Sequence, residues 1–283
     1  MNWLNLNKVK LNLDKTQLLL IGKSSMLKLC DGFQVKLGES TIKRVKSLKI
    51  LGIYLDEKLN FEDHTNYVIQ KCNKNLSMIY KFKQLLPSKE KEILVHAFIF
   101  SVLNYACPVW SPNLNKAKAK EIDNMVKRCA RFVKNRSKLD SISRDICNDL
   151  EWLLCDARNE YETAIFAYKA AFAQINTVFY NYIDFSHEEV KATRGQPYYV
   201  PALKPQSQWG KKSSKFRAVE SWLHIPREVF NSPTGILSLN IFKNNLKAHL
   251  LTKQWKKYER EEGREIAYME AIESVIRQGR TST

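Results

Sequence analysis

The 283-residue sequence contains no pair of adjacent aspartates, no CxxC, no HExxH, no GxSxG and no phosphate-cradling glycine loop. Without neighbouring carboxylates, a two-metal phosphoryl-transfer centre has no local motif to grow from. The other absences remove the usual signatures of zinc peptidases, serine hydrolases and nucleotide triphosphatases. Six cysteines (Cys30, Cys72, Cys107, Cys129, Cys147 and Cys155) lie apart, without histidines at metal-ligand spacing. No metal site is expected from them, and they lack the density of a secreted disulfide framework. Reduced packing thiols are the expectation. Five isolated histidines (His64, His96, His187, His224 and His249) have no sequence partner that would mark a base or a ligand, so each reads as structural or surface.

Long hydrophobic runs are missing too. The most apolar stretch, Ile93 to Ala106, carries His96, Ser101 and Asn104 and falls short of the roughly 20 residues that span a bilayer. It reads as a buried core helix, and no membrane association is expected. At the amino end Asn2, Asn5, Asn7 and Lys8 interrupt any apolar signal region, which disfavours secretion. The expected location is intracellular, nuclear and/or cytoplasmic. No internal repeat occurs.

What the chain has in excess is positive charge: 46 Lys and Arg against 29 Asp and Glu, a formal +17 with a pI near 9.5. Each cation that replaces a counterion on phosphate adds salt-dependent affinity, so polyanions are the expected partners. Nucleic acid comes first and an anionic membrane surface second. The window from Lys116 to Lys138 is the densest, with nine basic and two acidic residues. A hydrophobic content of 44% is enough to fill the cores of two domains at this length.

Along the chain, the first sixty residues alternate short apolar runs with turn signals. Gln17–Ile21 ends at Gly22 and Lys49–Leu55 ends at Asp56, each reading as a strand, with hairpin turns expected at Cys30–Phe33 and Gly38–Ser40. From His64 the period lengthens: Val68, Cys72, Leu76, Ile79, Phe82 and Leu86 fall on one helical face, with Lys71, Lys74 and Lys81 off it. Pro87 stops that helix and Ser88 is placed to cap the next, whose Glu90 and Glu92 suit its amino end. A further helix is expected over 117–133, with Ile122, Met125, Val126, Cys129 and Phe132 inward and Lys127, Arg128, Arg131 and Lys134 on its far side or end. Two more are expected around Leu150–Leu153 and Tyr161–Phe172. A Pro/Gly-rich loop or linker covers 187–215, and helices follow over 236–251 and 256–277.

The order of several segments resembles the carboxy-terminal half of non-LTR (LINE-type) retrotransposon reverse transcriptases, across roughly residues 3 to 250. Asn12, Lys15 and Thr16 before the apolar Gln17–Ile21 resemble the segment that in this family directly follows the strand-turn bearing the catalytic aspartate pair. Leu48–Asp56 with Leu59, Phe61 and His64 is similar to the primer-grip strand and the start of the thumb. Ala97–Trp110 and Val126–Arg131 look like the thumb helix and the basic helix after it. Leu150–Leu153 with Arg158 and Tyr161, then Thr193-Arg194, Gly210–Phe216, Trp222–Pro226 and Phe242–Lys247 continue the match. Leu223 and Ile225 depart from the family's usual Trp-Asn-x-Leu-Pro, and residues beyond about 251 match nothing in it.

The resemblance implies a residual palm at 1–62, a helical thumb at 63–137, a helical carboxy-terminal domain at 138–255 and a charged helical tail at 256–283. The chain is expected to begin just after the catalytic aspartates. The implied fold is α+β, mostly α-helical, with a small antiparallel sheet first. By the resemblance Lys15 corresponds to the lysine that neutralises departing pyrophosphate, and Leu51, Gly52 and Ile53 correspond to the primer grip. Lys71, Lys74, Lys81, Lys127, Arg128, Arg131, Lys134, Lys211 and Lys212 are the expected phosphate contacts to RNA and/or DNA, as a template-primer duplex. The intact parent polymerase would use Mg²⁺; this chain is expected to hold no cofactor and to be inactive alone. The alternative is a stand-alone basic RNA- or DNA-binding module without catalysis. The sequence leaves the oligomeric state open.

Overall fold

The computed structural model describes residues 6–172, 203–207, 210–211, 213–231 and 238–280, with side chains on the final helix described to residue 260. The architecture is α+β and mostly α-helical, with small two-stranded ladders near the amino end. Among the described residues six short strands form three such ladders. β1 (Gln17–Leu19) runs parallel to β4 (Lys43–Val45), β2 (Lys36–Leu37) pairs antiparallel with β3 (Ser40–Thr41), and β5 (Ser47–Ile50) pairs antiparallel with β6 (Ile53–Asp56). Two of the three ladders are antiparallel, as expected of a small antiparallel sheet, and the β1–β4 ladder is parallel. Between β1 and β4 lie a short helix, α1 (Ser24–Leu29), and the β2–β3 hairpin, a connection long enough to return the chain in the same direction. Cys30–Phe33 closes the end of α1 through bonds from Cys30 N–H and Phe33 N–H to Leu27 O and Cys30 O and is not a hairpin turn. Gly38, with φ +63°, does turn a hairpin.

The apolar run Lys49–Leu55 is two strands and not one. Leu51 (φ +48°) and Gly52 (φ +87°) turn the chain tightly between β5 and β6, as a two-residue loop with both central residues at positive φ does.

Helix α2 (Glu62–Tyr80) buries Val68, Ile69, Cys72, Leu76 and Ile79. It ends seven residues before Pro87 in a series of tight turns that leaves Phe82 exposed, so the expected face stops at Ile79. Pro87, not Ser88, occupies the cap of α3 (Ser88–Val95), which passes through a π-helical turn, His96–Phe100, into α4 (Ser101–Asn104). The wider turn lets the consecutive Ile99 and Phe100 both bury beside Val95 and Leu103. α5 (Cys107–Trp110) follows. α6 (Lys116–Val133) starts on Asn115, whose side chain accepts from Lys118 N–H. It ends on Asn135 in the left-handed region, with Arg136 N–H bonded back to Arg131 O, a closing pattern in which asparagine stands where glycine is commoner.

Leu150–Leu153 is not helical. A π-helical turn, Asp145–Asp149, precedes it, Glu151 has φ +51°, and residues 151–154 run free of regular structure into α7 (Cys155–Ala171). Among the described residues α8 (Ser214–His224), a 3-10 turn (Arg227–Phe230) and α9 (Leu239–Arg280) follow. The two carboxy-terminal helices expected separately are one, α9. Most of the expected linker at 187–215 lies outside the described residues.

Two apolar cores result. The first joins α2 to α6 and continues through Ile142, Ile146, Leu150 and Trp152 to Cys155; the second joins α7, α8 and α9 around Tyr168, Trp222, Phe242 and Leu246. Buried Gln254 on α9 connects them. Its amide donates to Trp152 O (3.0 Å) and Cys147 Sγ (3.3 Å), and its carbonyl accepts from Leu154 N–H (2.8 Å). Buried Arg158 works beside it, donating to Asn104 Oδ1 (2.7 Å) and Leu153 O (2.9 Å) while its guanidinium lies 4.2 Å from the Phe100 ring centre.

Candidate nucleic-acid interface

At 3.6 residues per turn, Lys116, Lys120, Lys127, Arg131 and Lys134 fall on one stripe of α6, opposite the buried Ile122, Met125, Val126, Cys129 and Phe132. The amphipathic pattern itself forces this: with the apolar arc consumed by the core, the cations have only solvent left. Arg128 sits at the edge nearest α2 and donates to Asn73 Oδ1 on that helix at 2.8 Å. On α2 the exposed Lys74, with Lys81 at the cap just past its end, shares the solvent face next to Asn73, and exposed Lys71 stands on its far edge. The structure thus brings Lys74, Lys81, Lys127, Arg128, Arg131 and Lys134 onto neighbouring faces of two packed helices and leaves Lys71 on the edge of α2 away from Asn73. Asp123 breaks the positive run of α6 only from the side: it accepts from Cys155 N–H at 2.8 Å, and burial raises its carboxyl pKa.

These cations are not equally available. Lys116, Lys120 and Lys74 have no acidic partner among the described residues. Lys127 Nζ lies 5.6 Å from the Tyr258 ring centre. Arg131 donates twice to Asp140 O (3.2 and 3.1 Å), and Lys134 pairs with Asp149 at 2.6 Å. Lysines 247, 253 and 257 of α9 pair with Glu151, Glu160 and Asp156, so they help dock α9 rather than extend the basic surface.

The β5–β6 hairpin stands beside α2. Lys49 Nζ lies 5.0 Å from the Tyr54 ring and 4.8 Å from the Tyr67 ring, and Lys71 Nζ approaches Tyr67 from 5.9 Å. These are distances at which a cation is attracted to a ring face. At the hairpin tip Leu51 is 85% exposed, and its carbonyl accepts from Tyr105 Oη at 2.6 Å. A Cβ on Gly52 would lie 3.4 Å from the Tyr105 ring, so the close approach that glycine permits here is taken by Tyr105. Beneath the hairpin, buried His64 packs edge-on to Trp110 (5.3 Å) and receives a long bond from Tyr54 N–H at 3.5 Å. Burial, with Lys49 nearby, lowers its pKa.

Lys15 is exposed in a short 3-10 turn (Leu13–Lys15) immediately before β1, with its backbone N–H held by Asn12 Oδ1 at 3.1 Å. Lys211 is exposed, away from the cations of α2 and α6 in sequence, and Lys212 lies outside the described residues. Among the described residues no group of three or more His, Cys, Asp or Glu side chains could hold a metal ion. Burial drives the thiols of Cys72, Cys107, Cys129 and Cys155 up to about 12, which removes them as nucleophiles.

Lys49, Lys116, Lys120 and the tyrosines at 54, 67 and 105 were not among the expected contacts. The two α6 lysines were within reach of the sequence, because they continue the same helical stripe as Lys127 and Arg131. Tyr67 was too, one helical turn from Lys71 on α2, whereas only the β5–β6 hairpin brings Tyr54 beside Lys49 and Tyr105 against Leu51. No family model, curated protein or solved structure matches the chain.

Proposed function

We propose that this chain binds nucleic-acid duplexes through the joined cationic faces of α2 and α6, as the duplex-gripping, carboxy-terminal part of a LINE-type reverse transcriptase would. The observation that carries the reading is the Arg128–Asn73 bond, which turns two lysine-bearing helices into one basic surface. The ordered segments that resemble that family support it. Lysine and arginine tips contact phosphates, releasing condensed counterions, and such contacts position a duplex while carrying little sequence information. Tyr54, Tyr67 and Tyr105 add ring faces for an unpaired base at the hairpin end of the surface. In this reading Lys15 and the Leu51–Ile53 turn are the remnant of the primer-handling side, and polymerisation belongs to the intact parent. A free-standing basic module would use the same surface, and both cores close on the chain's own side chains, as such a module needs.

Fluorescence anisotropy with RNA–DNA duplexes of two unrelated sequences tests the reading. The expected result is binding at about 50 mM salt, with affinities within roughly threefold of one another and falling steeply as salt rises. No binding at low salt, or a salt-independent affinity, would contradict it.

A further inference from the structure

Three cations at the carboxyl end of the basic surface already face oxygen ligands from one neighbouring segment. Arg131 donates its two bonds to Asp140 O, Lys134 pairs with Asp149 at 2.6 Å, and Arg136 lies 3.6 Å from Asp145. The segment that supplies these partners is fixed in place. Ile142, Ile146 and Cys147 are buried in the body of the protein, and Asp140 accepts from Ser137 N–H at 2.7 Å, which shapes the turn that presents its carbonyl. The arrangement is one-sided: Lys116, Lys120 and Arg128 on the same helix have no acidic partner among the described residues.

We infer that the Asp140–Asp149 segment is an intramolecular stand-in for phosphate, which occupies Arg131, Lys134 and Arg136 in the free protein and which a nucleic acid must displace to use them. The inference rests on the proposed binding reading and specifies how that site is regulated. Ion pairs that keep one partner in solvent, as Asp149 and Arg136 do here, are screened by salt, so a polyanion that gains counterion release at each contact can compete with them. The segment thereby sets the edge of the footprint. In the resting protein the effective surface runs from Lys116 to Arg128 and across to Lys74, and the last turn of α6 is held in reserve.

The test replaces Asp145 and Asp149 with Asn and measures binding of a labelled RNA–DNA duplex from about 50 to about 200 mM salt. Freed cations should tighten binding roughly 3- to 10-fold near 0.1 M salt. They should also steepen the slope of log K against log salt by about 1 to 2, since each added phosphate contact contributes about 0.9. A charge-matched control, Glu39→Gln with Glu228→Gln at two exposed side chains, changes net charge equally and should leave the slope unchanged. Asp145 is only 15% exposed. Asp149→Asn alone, at a side chain 50% exposed, therefore provides a second variant expected to fold normally and to steepen the slope by about 1. Wild-type binding with no change of slope in either variant, or an equal change in the control, would overturn the masking role and leave the binding reading standing. No binding by wild type and variants alike would overturn both.

Discussion

Replacing Gln254 with leucine tests how the two cores are held together. Gln254 is 8% exposed, and its side chain is the partner of Leu154 N–H and Trp152 O in a segment without regular structure, where neither group has a ladder to fall back on. Leucine matches the volume approximately but offers neither donor nor acceptor. Two buried backbone groups would lose their partner, at about 1–3 kcal/mol each. The added apolar contact offsets part of this, so a net loss of roughly 2–4 kcal/mol is expected. For a chain of this size that corresponds to a fall of roughly 3–7 °C in melting temperature, readable by circular dichroism at 222 nm. Lys253→Gln, one residue away and exposed with a single ion pair to Glu160, should cost less than about 1 kcal/mol. A Gln254→Leu protein that melts within about 2 °C of wild type would show that the backbone finds other partners and that the clamp is incidental.

The remaining expectations concern protons, thiols and catalysis. Burial, then Lys49, depresses the pKa of His64 in the folded protein. Its neutral form therefore contributes stability that is fully present above the unfolded value near 6.5 and is lost as pH falls through the folded value. Urea midpoints should drop between pH 7.5 and pH 5, and His64→Gln should flatten that drop; an unchanged pH dependence in the variant would place the proton elsewhere. Of the six cysteines, Cys30 alone is not buried, so Ellman's reagent should modify one thiol rapidly in the native protein and the other five only on unfolding. Rapid reaction of several thiols would contradict the packing around Cys72 and Cys129. Incubated with a primed RNA template, nucleotides and Mg²⁺, the chain should extend no primer, because the described residues offer no set of metal-binding carboxylates. Template-dependent extension would refute that expectation.

Much of the helical half is legible in sequence because its packing is local. The spacing of Ile122, Met125, Val126, Cys129 and Phe132 is enough to define both α6 and the face its cations must occupy. Legibility fails where partners are distant. Leu150–Leu153 has the apolar content of a helix, but its backbone is held by a glutamine about a hundred residues away, and the positive φ of Glu151 breaks the run. The β5–β6 turn escapes notice because leucine occupies a left-handed position usually marked by Asn or Asp before glycine. The lysine-rich stretch near residue 255 reads as a break between helices, whereas Lys253 and Lys257 pair with acids of α7 and the helix runs on. Of the candidate interface, the cations of α2 and α6 are visible beforehand. Which of them face an acid, and that Arg128 joins the two helices, depends on tertiary contacts that no local pattern carries.

The most direct test of the central claim is the salt dependence of duplex binding by the wild type and by a variant carrying Lys74→Glu, Lys120→Glu and Arg128→Glu. These exposed cations lie on the two helices and have no acidic partner among the described residues. If α2 and α6 form the nucleic-acid surface, the variant should bind every duplex sequence at least about tenfold more weakly, and its slope of log K against log salt should be shallower by about 3. Equal affinity and equal slope in the two proteins, with the fold intact, would show that the basic surface is only a solvated face.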